Sequence, residues 1–141
     1  MIDRIDHIAI AVENLDSAID TWINILGCDR SAVTIHEVPS EKVRAAFIPL
    51  GQTKIELLEP LGDDGPIAKF LSKNGAGMHH IALATDGVEA DAKRVTALGI
   101  TPLGEPSAGA GGKKIVFLHP RQTSRVLVEL VEPKPDHSFI Q

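Results

Sequence analysis

A six-residue phrase occurs twice in the chain. Ile55-Glu56-Leu57-Leu58-Glu59-Pro60 returns as Val128-Glu129-Leu130-Val131-Glu132-Pro133, 73 residues later. The stretch His7-Ile8-Ala9-Ile10-Ala11 returns at the same offset as His80-Ile81-Ala82-Leu83-Ala84. An internal repeat constrains the fold more than any other feature, because each copy must be the same supersecondary unit. A chain of 141 residues has room for one domain built from two such modules around a shared core. The repeated polar residues are His7, Glu56, His80 and Glu129, each inside an apolar run, where a polar group without a partner is costly. Two imidazoles and two carboxylates at equivalent positions suit one divalent transition metal such as Co²⁺, Mn²⁺, Zn²⁺ or Ni²⁺.

Hydrophobic periodicity gives the elements of the first module, about residues 4–60. Residues 4–12 alternate as a strand. Ile8, Ile10 and Val12 share its apolar face; His7, Ala9 and Ala11 share the other, where small side chains leave room for the floor of a pocket. Leu15, Ala18, Ile19, Trp22, Ile23 and Leu26 follow helical spacing, so residues 16–26 are predicted as a helix capped by Asp16 and ended by Gly27. Trp22 is read as core. Strands are expected over 31–38, 43–50 and 53–59, with Glu56 and Leu58 on one face of the last.

Residues 61–77 form the linker, with a short helix opened by Pro66 and closed at Asn74-Gly75. The second module spans about 78–133. It has a strand over 79–85, a helix marked by Val88, Ala92, Val95 and Leu98 that matches the first in length to within a residue, and strands over 115–119 and 126–132. Residues 104–114, rich in glycine, read as a mobile loop with a lid as one use. The tail, 134–141, reads as loosely held.

Of the tandem His79-His80, the repeat aligns His80 with His7, leaving His79 to its own surroundings. His36, His119 and His137 have no repeat partner and are read as bland. Glu59 and Glu132 repeat as well, but face away from the candidate ligands and read as solvent-facing strand ends. Lys113 and Lys114 are a solvated loop pair or a contact for an anionic substrate.

A net charge of −5 without a basic run argues against nucleic acid as a partner. One cysteine, Cys28, excludes an intrachain disulfide and fits a reducing compartment. Met1 to Asp6 is too polar for a signal peptide, and no apolar run approaches the length of a membrane span, so a cytoplasmic protein is expected.

Two strand–helix–three-strand modules carrying His, Glu, His and Glu resemble the vicinal oxygen chelate superfamily, and within it the methylmalonyl-CoA epimerases. The resemblance rests on Asp6 to Val12, Phe47 to Gly51, Thr53 to Gly62, Pro66 to Leu71, Met78 to Ala82, Gly109 to Lys113, Phe117 to Pro120 and Val126 to Leu130, and so spans nearly the whole chain. It implies an α+β fold of two tandem βαβββ modules with an open-barrel metal site. It implies a metal, Co²⁺ first, at His7, Glu56, His80 and Glu129, and an acyl-CoA substrate near Gly111, Gly112, Lys113 and Lys114. It implies a homodimer that interconverts the C2 epimers of methylmalonyl-CoA through an enolate, with Glu129 as one proton-moving residue and Glu56, a water or another residue as the second.

Two departures stand out. Ala45 occupies a position where some members carry a second glutamate, and Arg125 one where a glycine is common. The same four ligands would also serve a glyoxalase-like isomerisation of a thiohemiacetal; the lid and linker segments favour the epimerase. A metal-free binding protein of the resistance type would have no need of all four.

Overall fold

The computed structural model describes residues 1–109 and 112–133. Its elements are β1 (Ile2–Ala11), α1 (Leu15–Leu26), β2 (Thr34–Val38), β3 (Val43–Leu50), β4 (Thr53–Pro60), α2 (Pro66–Asn74), β5 (Gly77–Thr85), α3 (Val88–Ala97), β6 (Ser107–Ala108), β7 (Lys114–Leu118) and β8 (Val128–Glu132). Strand, helix and three strands therefore occur twice, with α2 between the copies. Two compact units are present: residues 7–81, and residues 1–6 with the described residues from 82 onward.

In the unit of residues 7–81 the strand order is β2-β3-β4-β1. β1 runs parallel to β4, and β2, β3 and β4 are antiparallel neighbours. One face buries Val12, Leu15, Ile19, Ala46, Ile48, Ile55 and Leu57, with Ile8, Ile10 and Trp22 packed against them. The period-two alternation of β1 and the helical period of α1 thus meet in one core. The other face buries Ala9, Ala11, Val43, Ala45 and Leu58 under Ile67 of α2. The room expected above Ala9 and Ala11 is therefore filled: the linker helix lays Ile67, Phe70 and Leu71 on that face.

The cap of α1 is Asn14, whose side chain accepts from Ser17 N at 3.0 Å; Asp16, the expected cap, lies in the first turn. Gly27 ends the helix at φ +70°, a backbone conformation that a Cβ would strain, and donates its N–H to Ile23 O at 2.8 Å. Residues 31–33 do not join the strand expected there. Asp29 caps a single 3₁₀ turn over Arg30–Ala32, and β2 starts at Thr34.

In the other unit the order is β6-β7-β8-β5, with β6, β7 and β8 antiparallel. Val88, Ala92 and Val95 of α3 pack on Val116, Leu118 and Leu130. Leu98 does not belong to that face: it is 71% exposed, and α3 closes at Ala97, two residues shorter than α1. The last strand begins at Val128 rather than at residue 126. The glycine-rich segment is not a free loop throughout. Ser107 and Ala108 pair with Ile115 and Lys114, and Gly109 N donates to Lys113 O at 2.6 Å. The tail expected at 134–141 lies outside the described residues.

The repeated Glu59 and Glu132 have a role that their reading as solvent-facing ends missed. Glu59 Oε2 accepts from Leu15 N at 2.6 Å, and Glu132 Oε1 accepts from Val88 N at 2.7 Å. Each half-buried carboxylate ties the end of its strand to the first N–H of the helix in its own unit. A helix N-terminus leaves such donors unsatisfied and favours negative charge beside them.

Candidate metal centre

Three of the four repeated polar residues meet. His7 comes from β1, Glu56 from β4 and His80 from β5, and their ligand atoms all lie within 4.8 Å of one another. His7 Nε2 is 3.3 Å from His80 Nε2 and 3.5 Å from Glu56 Oε2. The two rings meet edge to face, centroids 5.3 Å apart at 76°. Exposure is 6% for His7, 7% for Glu56 and 5% for His80, so all three are withdrawn from water.

Register explains how His7 and Glu56 come together. Ala9 of β1 lies beside Glu56 in the parallel pairing, so His7 sits one side chain away on the same face of the neighbouring strand. Phe47 of β3 stands directly opposite Glu56.

The donor set fits a divalent ion. Nitrogen and oxygen ligands at about 2.0–2.2 Å from a common centre stand about 3–3.5 Å apart. The separations of 3.3 and 3.5 Å match that spacing.

Glu129 lies on β8 in the other unit, buried at 6% exposure, with Phe117 of β7 directly opposite. The phenylalanine opposite each glutamate is a second shared feature, carried in the sequence by Phe47-Ile48 and Phe117-Leu118.

The expected substrate residues are placed as follows. Lys114 opens β7 and donates to Glu89 Oε1 at 3.0 Å; that hydrogen bond holds the ammonium pKa above, and the carboxyl pKa below, its ordinary value. The Lys113 carbonyl accepts from Gly109, while Gly112 N donates to Gly109 O at 3.0 Å. Gly111 lies outside the described residues.

Among the remaining histidines, His36 is exposed and meets Phe47 edge to face, centroids 6.0 Å apart. His119 Nδ1 accepts from Arg121 N at 3.2 Å, capping a turn. His137 lies outside the described residues. His79 is the residue whose position the sequence undervalued: its Nδ1 is 2.8 Å from His80 Nδ1.

Residues 6–117 match the Glyoxalase/Bleomycin resistance protein/Dioxygenase superfamily. The ethylmalonyl-CoA/methylmalonyl-CoA epimerase of Cereibacter sphaeroides is 44% identical over 92% of this chain and 98% of its own. The chain belongs to the methylmalonyl-CoA epimerase family. The human mitochondrial methylmalonyl-CoA epimerase is also 44% identical, over 92% of this chain and 73% of its own. A Streptomyces coelicolor methylmalonyl-CoA epimerase variant, solved in complex with 2-nitronate-propionyl-CoA, superposes with a TM-score of 0.88 at 35% identity, covering 96% of this chain and 97% of that one. The fold is accordingly that of the vicinal oxygen chelate proteins. Among the described residues, no helix is long and apolar enough to cross a membrane.

Proposed function

We propose that this chain interconverts the (2R) and (2S) epimers of methylmalonyl-CoA with the help of a divalent metal ion. The observation that carries the reading is the buried trio of His7, Glu56 and His80, spaced as ligands of one ion, in a chain of this family. Glu129 is proposed as the fourth ligand. Its support is the repeat, in which it stands to Glu56 as His80 stands to His7.

The C2 proton lies between a thioester and a carboxylate, and its removal leaves an enolate. A bound divalent ion supplies Lewis acidity toward the oxygens on which that charge develops. His7 and His80 would present ring nitrogens to the ion from buried positions. Inversion at C2 requires one group to take the proton and another to return it on the opposite face. Glu129 and Glu56 are proposed for these two roles. Ala45, with 1% exposure in the core under α2, has no proton to give, so the second role passes to Glu56. Gly111, Gly112, Lys113 and Lys114 are proposed to meet the acyl-CoA, with Lys114 leaving Glu89 to do so.

Co²⁺ is the preferred metal in this reading, with Mn²⁺, Zn²⁺ and Ni²⁺ as alternatives. A single cysteine fits a cytoplasmic protein. Family analogy, together with β2 at the end of its strand order, supports a homodimer. The test is to offer the Co²⁺-loaded protein one C2 epimer and follow its optical activity. Decay to the equilibrium mixture is expected; an unchanged signal would refute the activity.

A further inference from the structure

His79 is half-buried beside the metal centre, with its ring held on two sides. Phe70 of α2 meets it edge to face, centroids 5.1 Å apart at 82°. His80 meets it at 5.1 Å and 79°, with the two Nδ1 atoms 2.8 Å apart. Adjacent residues on a strand ordinarily point to opposite faces, so this short contact between neighbours is a specific local arrangement.

One hydrogen bond between two Nδ1 atoms needs one donor and one acceptor. The choice is constrained by the far side of His80, where Nε2 faces His7 Nε2 at 3.3 Å. A nitrogen that ligates a metal must present a lone pair, so the proton of His80 belongs on Nδ1. His79 Nδ1 must then accept, and the proton of His79 sits on its Nε2. Such outer partners orient a ligand and select its tautomer.

We propose that His79 is a positioning residue: it accepts a hydrogen bond from His80 Nδ1–H, and so holds His80 Nε2 unprotonated and aimed at the metal centre. The inference rests on the metal reading above.

Two measurements test it. In metal-free protein labelled with ¹⁵N-histidine, long-range ¹H–¹⁵N correlations report the tautomer of His80. The wild type is expected to be protonated on Nδ1, and H79F, which keeps a ring against Phe70 but loses the acceptor, is expected to shift toward Nε2. In a chelator-competed Co²⁺ titration followed by ligand-field absorption, H79F should bind about 10–100-fold more weakly, and H79N, which restores an acceptor at the Nδ1 position, should recover most of the loss. An Nε2-protonated His80 in the wild type, or wild-type Co²⁺ affinity in H79F, overturns the proposal. The wild-type spectrum needs no variant, so an unfolded H79F does not shelter it. A wild-type protein that takes up no Co²⁺ would defeat the metal reading, and the tautomer spectrum would still decide the role of His79.

Discussion

His7 Nε2 and His80 Nε2 stand 3.3 Å apart, although 73 residues separate them in the chain. Two imidazoles can face each other so closely only by sharing a proton or by sharing a cation, since two imidazolium rings would repel. Glu56 Oε2 at 3.5 Å from His7 adds a third candidate ligand, so the trio fits a shared cation. His80→Ala is expected to weaken Co²⁺ binding about 100-fold or more, beyond the usual effect of an outer-shell change. The wild type should also melt at a higher temperature in excess Co²⁺, since saturation at about 100 times Kd adds about 2.7 kcal/mol, and the variant should not. Calorimetric titration and a thermal melt with and without metal check both.

The two capping carboxylates should be unequal. α1 has Asn14 as a second cap, whereas Gly87 before α3 supplies no side-chain acceptor. Glu132→Ala is expected to cost about 1–2 kcal/mol and Glu59→Ala less. Urea unfolding of the two variants measures the difference; equal costs would argue against capping as the reason for the repeat.

Much of this architecture was legible before the structure. The 73-residue offset carried the two modules, the apolar periods carried α1, α2 and most strands, and the repeat singled out His7, Glu56 and His80. What was not legible depended on partners distant in sequence. The carboxylates of Glu59 and Glu132 reach back 44 residues to helix N-termini, which no local pattern announces. Ile67 on the face of Ala9 and Ala11 turned an expected pocket floor into core. Leu98 matched the helical period, yet the helix ended before it could be used. Alternation along β5 set His79 aside, because a strand pattern says nothing about contacts between neighbours.

Asp91 links pH to stability. It is buried on α3, accepts a hydrogen bond from the Thr85 hydroxyl and pairs with Arg94 at 3.2 Å. The Thr85 hydrogen bond, with help from Arg94, holds its carboxyl below the ordinary aspartate value. A carboxyl lowered on folding contributes stability that is fully present above its unfolded pKa, about 3.9, and is lost as pH falls through the lower folded value. Asp91→Asn should therefore be less stable than wild type at pH 7, by about 1–3 kcal/mol. The gap should narrow below about pH 4. Denaturation midpoints at neutral and acid pH give the test, and a gap that widens in acid would contradict the assignment.

Arg125 sits at φ +63°, after Ser124 at φ +58°, in the turn that leads to β8. The left-handed conformation explains why a glycine suits this position and what the arginine costs. Its N–H donates to Pro120 O at 2.7 Å, so the turn is held despite the strain. Arg125→Gly should stabilise the fold by about 0.5–1 kcal/mol, the relief of about 1–2 kcal/mol being offset in part by the entropy of glycine. A shift of the urea midpoint to higher concentration is the expected result, and a lower midpoint would show that the arginine side chain contributes more than its backbone costs.

The most direct measurement of the central claim is solvent exchange at C2. Protein loaded with Co²⁺ is incubated with (2R)-methylmalonyl-CoA in D₂O, and the C2–H signal is followed by proton NMR beside metal-free protein and His80→Ala. Washout that requires both the metal and His80 is the predicted result. No exchange above the metal-free blank, or equal exchange by His80→Ala, would contradict it.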